Sequence, residues 1–426
     1  MQTPLYKIYV FLKCAVRIDE GGVMEYIRTI WQKIEKELSK KEIVVITGPR
    51  RVGKTTTLKH LLSKINGKNK LFLDLENIID RKIFERENYN DVIADLKTRG
   101  LNFNEKVYLA LDEIQYVKNI PSVIKYLYDH YGIKFILTGS SSYYLKNYFT
   151  ESLSGRKVLF ELLPLSFSEF LLFKQSAAAL PDVKIYNPPV KINSALYDLI
   201  GDYYKEYVDF GGFPDVAMAN SAEEKKQILG DIYSSYINQD VKNLSDFKQI
   251  SDLRKLVSLL AVRVGNRINT SELSSITGLS RQTVENYIEF LEQTYLIRTL
   301  LAESNSQDVK IRKSRKLYFI DTGIASINAD LSGGQKFENT VAAQLSHYGQ
   351  RIGYYENKDG EIDFILRSPI GEKTSKSAAI EAKETPVAAD LTALERRSAR
   401  LNIKNFYIVG RFPTEKFSEY RWGGEL

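Results

Sequence analysis

Ile43-Val-Val-Ile-Thr47 runs directly into Gly48-Pro-Arg-Arg-Val-Gly-Lys-Thr55, and Thr55 to Leu62 then reads as a helix. An apolar β-branched run, a loop bounded by glycines and a helix, in that order, make a phosphate cradle. Gly48 and Gly53 let backbone N–H groups curl round an anion, and the helix N-terminus adds a partial positive charge. Pro49, Arg50, Arg51 and Val52 complete the loop. Lys54 is expected to reach the β and γ phosphates of ATP, Thr55 to offer its hydroxyl to Mg²⁺, and Thr56 to add a phosphate contact.

Working outward, Val107-Tyr-Leu-Ala-Leu111 is a second strand that ends in Asp112-Glu113. The first carboxylate is placed to hold Mg²⁺ and the second to polarise an attacking water, which points to hydrolysis rather than binding alone. A third strand, Phe135 to Thr138, leads into Gly139-Ser-Ser-Ser142, where Ser140 is the expected sensor between Asp112 and the γ-phosphate. Arg156, in Leu153-Ser-Gly-Arg156, is a candidate for neutralising transition-state charge, within the subunit or across an oligomer interface. The plainer alternative is a surface arginine.

The ordered set Gly-Pro-Arg-Arg-Val-Gly-Lys-Thr-Thr (48–56), Leu-Asp-Glu-Ile-Gln (111–115), Leu-Thr-Gly-Ser-Ser (137–141), Leu-Ser-Gly-Arg (153–156) and Leu-Pro-Leu-Ser-Phe-Ser-Glu-Phe (163–170) resembles archaeal and bacterial ATPases of the AAA+ type. Gly211-Gly-Phe-Pro214 is similar to the same family. The resemblance implies an α/β fold: a P-loop core with a five-stranded parallel sheet and helices on both faces, then a helical lid. It implies no particular substrate.

Residues 166–255 read as that lid, with Pro181 to Pro189 as an exposed loop. Tyr203, Tyr204 and Tyr207 fall at helical spacing, which suits packing, although tyrosines can also stack on bases. Residues 256–330 contain a helix-turn-helix pattern, Ile268 to Val284, turning at Gly278 with Ser280 as cap. Val284, Tyr287, Ile288 and Leu291 share one face, leaving Arg281, Gln282, Glu285 and Asn286 outside. In a winged helix, the start of this second helix, Arg281, Gln282, Thr283 and Asn286, would contact DNA. Leu296–Leu301 and Lys316–Ile320 would form the wing. Lys310, Arg312, Lys313 and Arg315 between them would neutralise phosphates. A winged helix used for protein contacts is the alternative.

Residues 331–426 follow the order αβββαβ, a small α/β domain. Glu381 and Lys383 are two apart on one strand and face the same way. Asp363 lies on the neighbouring strand, and Glu338 on the preceding helix. Carboxylates so gathered can bind Mg²⁺ or Mn²⁺, and the lysine can orient an attacking water. The set resembles the PD-(D/E)XK nuclease superfamily, a restriction-endonuclease-like fold that commonly ends the same ATPase family. Asp363, Glu381 and Lys383 match its motif and Glu338 its helical acid. Glu361-Ile362 stands before the first acid, so there is no proline–aspartate doublet.

Composition bounds the rest. The 426 residues suggest about three domains. With 43% hydrophobic and 27% charged residues, and no apolar run of membrane-spanning length, the chain falls in the soluble globular class. Tyr6 to Val16 is apolar but holds Lys7 and Lys13, with Arg17 following, so a signal peptide is not expected. Met24 is read as opening an amphipathic helix over 24–39, with Ile27, Ile30, Trp31, Ile34 and Leu38 on one face. The first 23 residues are then an accessory strand or an artefact of the assigned start. Cys14 alone excludes an intramolecular disulfide and fits a cytoplasmic location. A net charge of +7 favours an anionic partner. The expectation is an ATP- and Mg²⁺-dependent ATPase that binds DNA and carries a nuclease-like domain, with no membrane partner and a possible homo-oligomeric state. The alternative is a nucleotide-gated switch with a silent C-terminal domain and a protein partner.

Overall fold

The computed structural model describes residues 16–18, 24–140, 153, 155–176, 178, 180–181, 184–189, 191–241, 250–304, 315–369 and 376–426. β1 (Val16–Ile18) and β2 (Met24–Tyr26) form an antiparallel pair with Val16 opposite Tyr26. The helix expected over 24–39 is therefore corrected: the chain is extended at 24–26 and helical over Trp31–Glu35. The reason lies at Arg28, whose guanidinium donates to the Val52 carbonyl at 2.8 Å and the Leu163 carbonyl at 2.7 Å and so anchors the chain ahead of the helix. Trp31, Ile34 and Leu38 still face inward.

β3 (Ile43–Thr47), β4 (Lys70–Asp74), β5 (Tyr108–Asp112), β6 (Lys134–Gly139) and β7 (Lys157–Glu161) make a sheet of order β4-β5-β6-β3-β7 in which every pairing is parallel. Alternate residues serve its two faces. Ile43 and Val45, with Leu109, Leu111, Phe135 and Leu137, pack among residues of helices Tyr89–Thr98 and Ile120–Tyr131. Val44 and Ile46, with Ala110 and Ile136, share a core with helix Lys54–Lys64. A parallel sheet covered on both faces needs such continuous apolar strands. The register sets Thr47 beside Gly139 and Asp74 beside Asp112, so the phosphate loop and the acidic pair emerge at the same edge of the sheet.

Helices Ser194–Phe210, Pro214–Met218, Ala222–Ser235 and Ile250–Val262 follow, with a π-helical turn at Tyr236–Val241. Tyr204 and Tyr207 are buried, donating to Gln344 Oε1 at 3.0 Å and the Leu165 carbonyl at 2.8 Å, so they pack and do not present rings for stacking on bases. Helices Thr270–Thr277 and Arg281–Gln293 meet at Gly278, whose φ of +75° suits glycine, and Ser280 Oγ accepts from the Thr283 N–H. Val284, Tyr287, Ile288 and Leu291 are buried.

β8 (Ile297–Ala302) and β9 (Lys316–Phe319) pair antiparallel. After helix Gly333–Ser346 come β10 (Arg351–Asn357), β11 (Gly360–Arg367), β12 (Ser377–Lys383), helix Ala388–Ala399, β13 (Phe406–Gly410) and β14 (Arg421–Trp422). β10 runs parallel to β8, so the hairpin and the αβββαβ unit share one seven-stranded sheet of order β14-β13-β12-β11-β10-β8-β9. The core of one face joins residues of helix Ser194–Phe210 and the segment 165–171 to this sheet. No helix among the described residues is long and apolar enough to cross a membrane.

Candidate functional site

Gly48 has φ +147°, and a Cβ there would stand 2.0 Å from the Leu162 carbonyl oxygen, so only glycine can begin the loop where it passes β7's exit. Gly53 has φ +92°, and its missing Cβ faces open space. That opening belongs to a cleft of about 730 Å³ lined by Lys54, Thr55, Thr56 and Glu113 together with Tyr26, Trp31, Phe173 and Met218. Lys54 Nζ donates to the carbonyls of Gly48 and Pro49 at 3.0 and 2.9 Å and lies 3.9 Å from Glu113 Oε1. Arg51 adopts φ +62° and approaches Asp215, at the start of the helix after Gly211-Gly-Phe-Pro214, to 3.6 Å.

Thr55 Oγ1 donates to Asp112 Oδ2 at 2.6 Å, and the Thr138 hydroxyl donates to Asp112 Oδ1. Burial raises the Asp112 pKa, while the two hydroxyls oppose the shift. Glu113 is half-buried, and desolvation works against its charge, yet Lys54, Arg50 and the hydrogen bonds from Gln115 and Ser140 outweigh that and hold its carboxyl below the ordinary value. Glu113 sits at φ +52°, a left-handed conformation that a side chain adopts only where its surroundings enforce it. Gln115 Nε2 donates to both Glu113 Oε2 and Ser140 Oγ, the latter at 2.9 Å. Ser140 thus serves Glu113, directly and through Gln115, and Thr138 joins Thr55 on Asp112. The sequence holds a signal for both residues, since each lies in a strand-end motif already singled out. Which polar residue faces which acid depends on the register between β5 and β6.

Arg28 and Glu169 complete the surroundings of the loop, and sequence reading assigns neither a role. Arg28 Nε lies 3.1 Å from Glu169 Oε2 while its terminal nitrogens hold Val52 and Leu163. Glu169 Oε1 accepts from the Thr29 N–H at 2.7 Å, and Ser166 and Glu169 form a reciprocal cap on helix Phe167–Phe173. Burial opposes the Glu169 charge, but Arg28 and its hydrogen bonds win and hold the carboxyl at about 2.

Arg156 stands elsewhere. Its carbonyl accepts from the Ile43 N–H, at the start of β3, and its guanidinium pairs with Asp129 at 3.0 Å. At about 3.3 Å per residue, the length of β3 separates it from the phosphate loop by about 13 Å. The role within its own subunit is corrected on that ground. Of the residues read as contacting DNA, Arg281, Gln282 and Asn286 are exposed, with Gln282 bonded to Asn286 at 2.9 Å. Thr283 is half-buried beside its cap, Ser280. Arg315 pairs with Glu292 at 3.2 Å. Lys310, Arg312 and Lys313 lie outside the described residues.

In the C-terminal unit the expected acids do come together, but around a lysine. Lys316 Nζ, on a side chain 2% exposed, lies 2.8 Å from Glu338 Oε1, 2.5 Å from Glu361 Oε1 and 3.1 Å from Asp363 Oδ1. Burial disfavours its charge, yet Asp363, Glu338 and Glu361 together raise its pKa above the usual lysine value. Tyr318, two residues on along β9 and so on the same face, donates to Glu338 at 2.7 Å. Glu381 is held between Lys383 Nζ at 2.8 Å and Arg397 at 2.6 Å. Among the described residues no group of three or more His, Cys, Asp or Glu is arranged to hold a metal ion. Ammonium and guanidinium groups thus stand against the acids read as metal ligands, Lys316 against Glu338 and Asp363, and Lys383 with Arg397 against Glu381. Lys316 and Arg397 carried no sequence signal, since only the fold brings them to these acids.

Among known proteins, residues 40–171 match the AAA domain family (AAA_14), and residues 201–334 match a family described as a domain of unknown function (DUF8612). The chain is similar to an uncharacterized protein of Methanocaldococcus jannaschii, 28% identical over 402 residues that cover 92% of this chain and 86% of that protein. It is also similar to an uncharacterized protein of Haemophilus influenzae, 27% identical, covering 76% and 79% respectively. Among solved structures, a Walker-type ATPase of Pyrococcus abyssi aligns at 14% identity with a TM-score of 0.42, covering 74% of this chain and 99% of that one. Similarity to the AAA domain family thus falls on the stretch that holds the whole phosphate loop, the Asp112–Glu113 pair and the Thr138, Ser140 and Gln115 side chains around it.

Proposed function

We propose that this chain is a Mg²⁺-dependent ATPase whose nucleotide state is passed to the rest of the molecule. The observation that carries this reading is the convergence of Thr55 and Thr138 on Asp112, with Glu113 beside Lys54, at the mouth of the glycine-bounded loop. Thr55 and Asp112 present hard oxygen donors 2.6 Å apart, the donor set that suits Mg²⁺ together with phosphate oxygens. When bound, the ion neutralises charge on the β and γ phosphates.

The protein's own groups do the rest. Lys54 exchanges its bonds to Gly48 and Pro49 for phosphate oxygens. Glu113, kept ionised by Lys54 and Arg50, orients the water and takes its proton as the water oxygen bonds to the γ-phosphorus and the bond to the bridging oxygen breaks. Tyr26, Trp31, Phe173 and Met218 give the base an apolar seat within the same cleft. Asp215, beside Arg51, lets the helix Pro214–Met218 sense the phosphate loop.

ATPase activity should vanish with Lys54→Ala. Hydrolysis that persists at the wild-type rate in that variant would overturn the reading.

DNA binding is the second reading, favoured by the net charge of +7 and by the exposed Arg281, Gln282 and Asn286 at the start of their helix. Duplex, fork and junction DNA are the probes. Affinity should fall tenfold or more between low and moderate salt. Absence of binding at low salt would leave a nucleotide-gated switch with a protein partner.

A further inference from the structure

We infer that Lys316 is a resident cation that permanently replaces a divalent metal in the C-terminal unit, so the carboxylates of Glu338, Glu361 and Asp363 serve to lock the β8–β9 hairpin to the αβββαβ unit and not to cut a phosphodiester.

Three carboxylate oxygens lie between 2.5 and 3.1 Å from a single nitrogen. A divalent ion bound to the same oxygens, at about 2.0–2.6 Å from each, would occupy the same point. The two cannot coexist, so the lysine would have to leave first. β9 holds its backbone fixed. All four of its residues, Lys316 to Phe319, are at most 2% exposed, the strand is paired with β8, and Lys316 also bridges to Arg267. Withdrawing Nζ would strand a buried ammonium, or leave three half-buried carboxylates crowded together without their shared counter-ion, and either arrangement is destabilising.

The fourth acid is no more available. Glu381 is 5% exposed and is shared by Lys383 and Arg397. Asp363 Oδ2 accepts from the Ala382 N–H at 2.9 Å, so its second oxygen is also engaged. The acids that resembled a metal-dependent nuclease are here an internal salt-bridge network, with its cations drawn from β9, from β12 and from the helix Ala388–Ala399. This inference is independent of the ATPase reading, because it concerns nucleotide-free protein.

The test uses the full chain without nucleotide, in a Thr55→Ala background that removes the hydroxyl ligand of the phosphate loop. Mn²⁺ binding is followed by electron paramagnetic resonance, and stability by thermal unfolding. With Lys316 intact, millimolar Mn²⁺ should give no bound signal that depends on Asp363 and no shift in Tm. Lys316→Met should lower Tm, and added Mn²⁺ should restore it while about one ion binds per chain. Adding Asp363→Asn to that variant should abolish both effects.

An ion bound by the protein with Lys316 intact and lost on Asp363→Asn would overturn the inference, because the metal would then displace the lysine. So would a Lys316→Met protein that folds, keeps its Tm and binds no ion. If Lys316→Met fails to fold, the comparison with and without Asp363→Asn in the Lys316 background still decides whether a metal enters.

Discussion

Arg28 Nε and Glu169 Oε2 stand 3.1 Å apart with both side chains nearly sealed from water, and the pair ties the segment ahead of the phosphate loop to the helix that follows β7. Because Arg28 also holds the Val52 carbonyl, the ion pair sets the position of a residue inside the loop itself.

Arg28→Ala should therefore cost stability and nucleotide affinity together. Removing one partner leaves Glu169 buried and uncompensated, a loss of about 3–5 kcal/mol in urea unfolding. ATP binding, measured by calorimetry under conditions where the variant remains folded, should weaken as well. A variant that unfolds like wild type would show that the pair does not anchor the segment.

Acid should reach the same pair. The Glu169 carboxyl is depressed from 4.5 to about 2, so its contribution is complete above pH 4.5 and is lost as the pH falls toward 2. A displacement of that size corresponds to roughly 3 kcal/mol. Comparing wild type with Glu169→Gln across that range should show the wild-type advantage shrinking on acidification. An advantage that stays constant from pH 5 to pH 2 would contradict the assignment.

Glu113→Gln should keep ATP binding and lower turnover by about 10²-fold or more, since the group that takes the water's proton is gone while the cradle remains. Thr138→Val should act on the other acid, leaving Asp112 without one of its two hydroxyl partners and weakening the Mg²⁺ dependence of turnover. Turnover against Mg²⁺ concentration separates these outcomes.

The phosphate loop was legible because its function fixes residue types at fixed spacing on a local turn. Glycines at 48 and 53 and the Lys54-Thr55 pair need no tertiary knowledge. Three of the five parallel strands were legible for a related reason, as β3, β5 and β6 are each a short apolar run ending in a turn, whereas the more polar β4 and β7 entered only through the family resemblance. What escaped depended on long-range placement. The helical spacing from Met24 to Leu38 was real, but Arg28's three partners outweighed it in the first turns. Ser140 and Thr138 are two residues apart, and choosing between them required the β5–β6 register. Lys316 read as the first residue of a wing strand, yet burial made it an internal counter-ion.

Two glycines offer a paired test of backbone conformation. Gly211 has φ +79°, and a Cβ there would lie 2.1 Å from Asp321 Oδ1, whose carboxylate also accepts from the Gly212 N–H at 2.7 Å. Gly211→Ala should destabilise by at least about 1 kcal/mol. Gly230 lies inside helix Ala222–Ser235 with nothing near its missing Cβ, so Gly230→Ala should be neutral or stabilising by up to about 1 kcal/mol. Thermal unfolding of the two variants should move in opposite directions or differ clearly in size.

Arg156→Ala should leave ATP affinity unchanged in dilute, dissociated protein, because the side chain pairs with Asp129 at the far end of β3. If the arginine serves a neighbouring subunit, the variant loses turnover only at concentrations that hold an assembly together. Equal loss at every concentration would contradict the placement.

The sheet shared by the β8–β9 hairpin and the αβββαβ unit bears on how this protein can be divided. A fragment beginning near residue 331 would lose two strands and, with them, the ammonium that three carboxylates surround. It would expose the unpaired edge of β10, a template for strand-to-strand aggregation. Recombination at that junction, in the laboratory or in a genome, should therefore yield insoluble chains, and the hairpin and the unit it completes are expected to be inherited together.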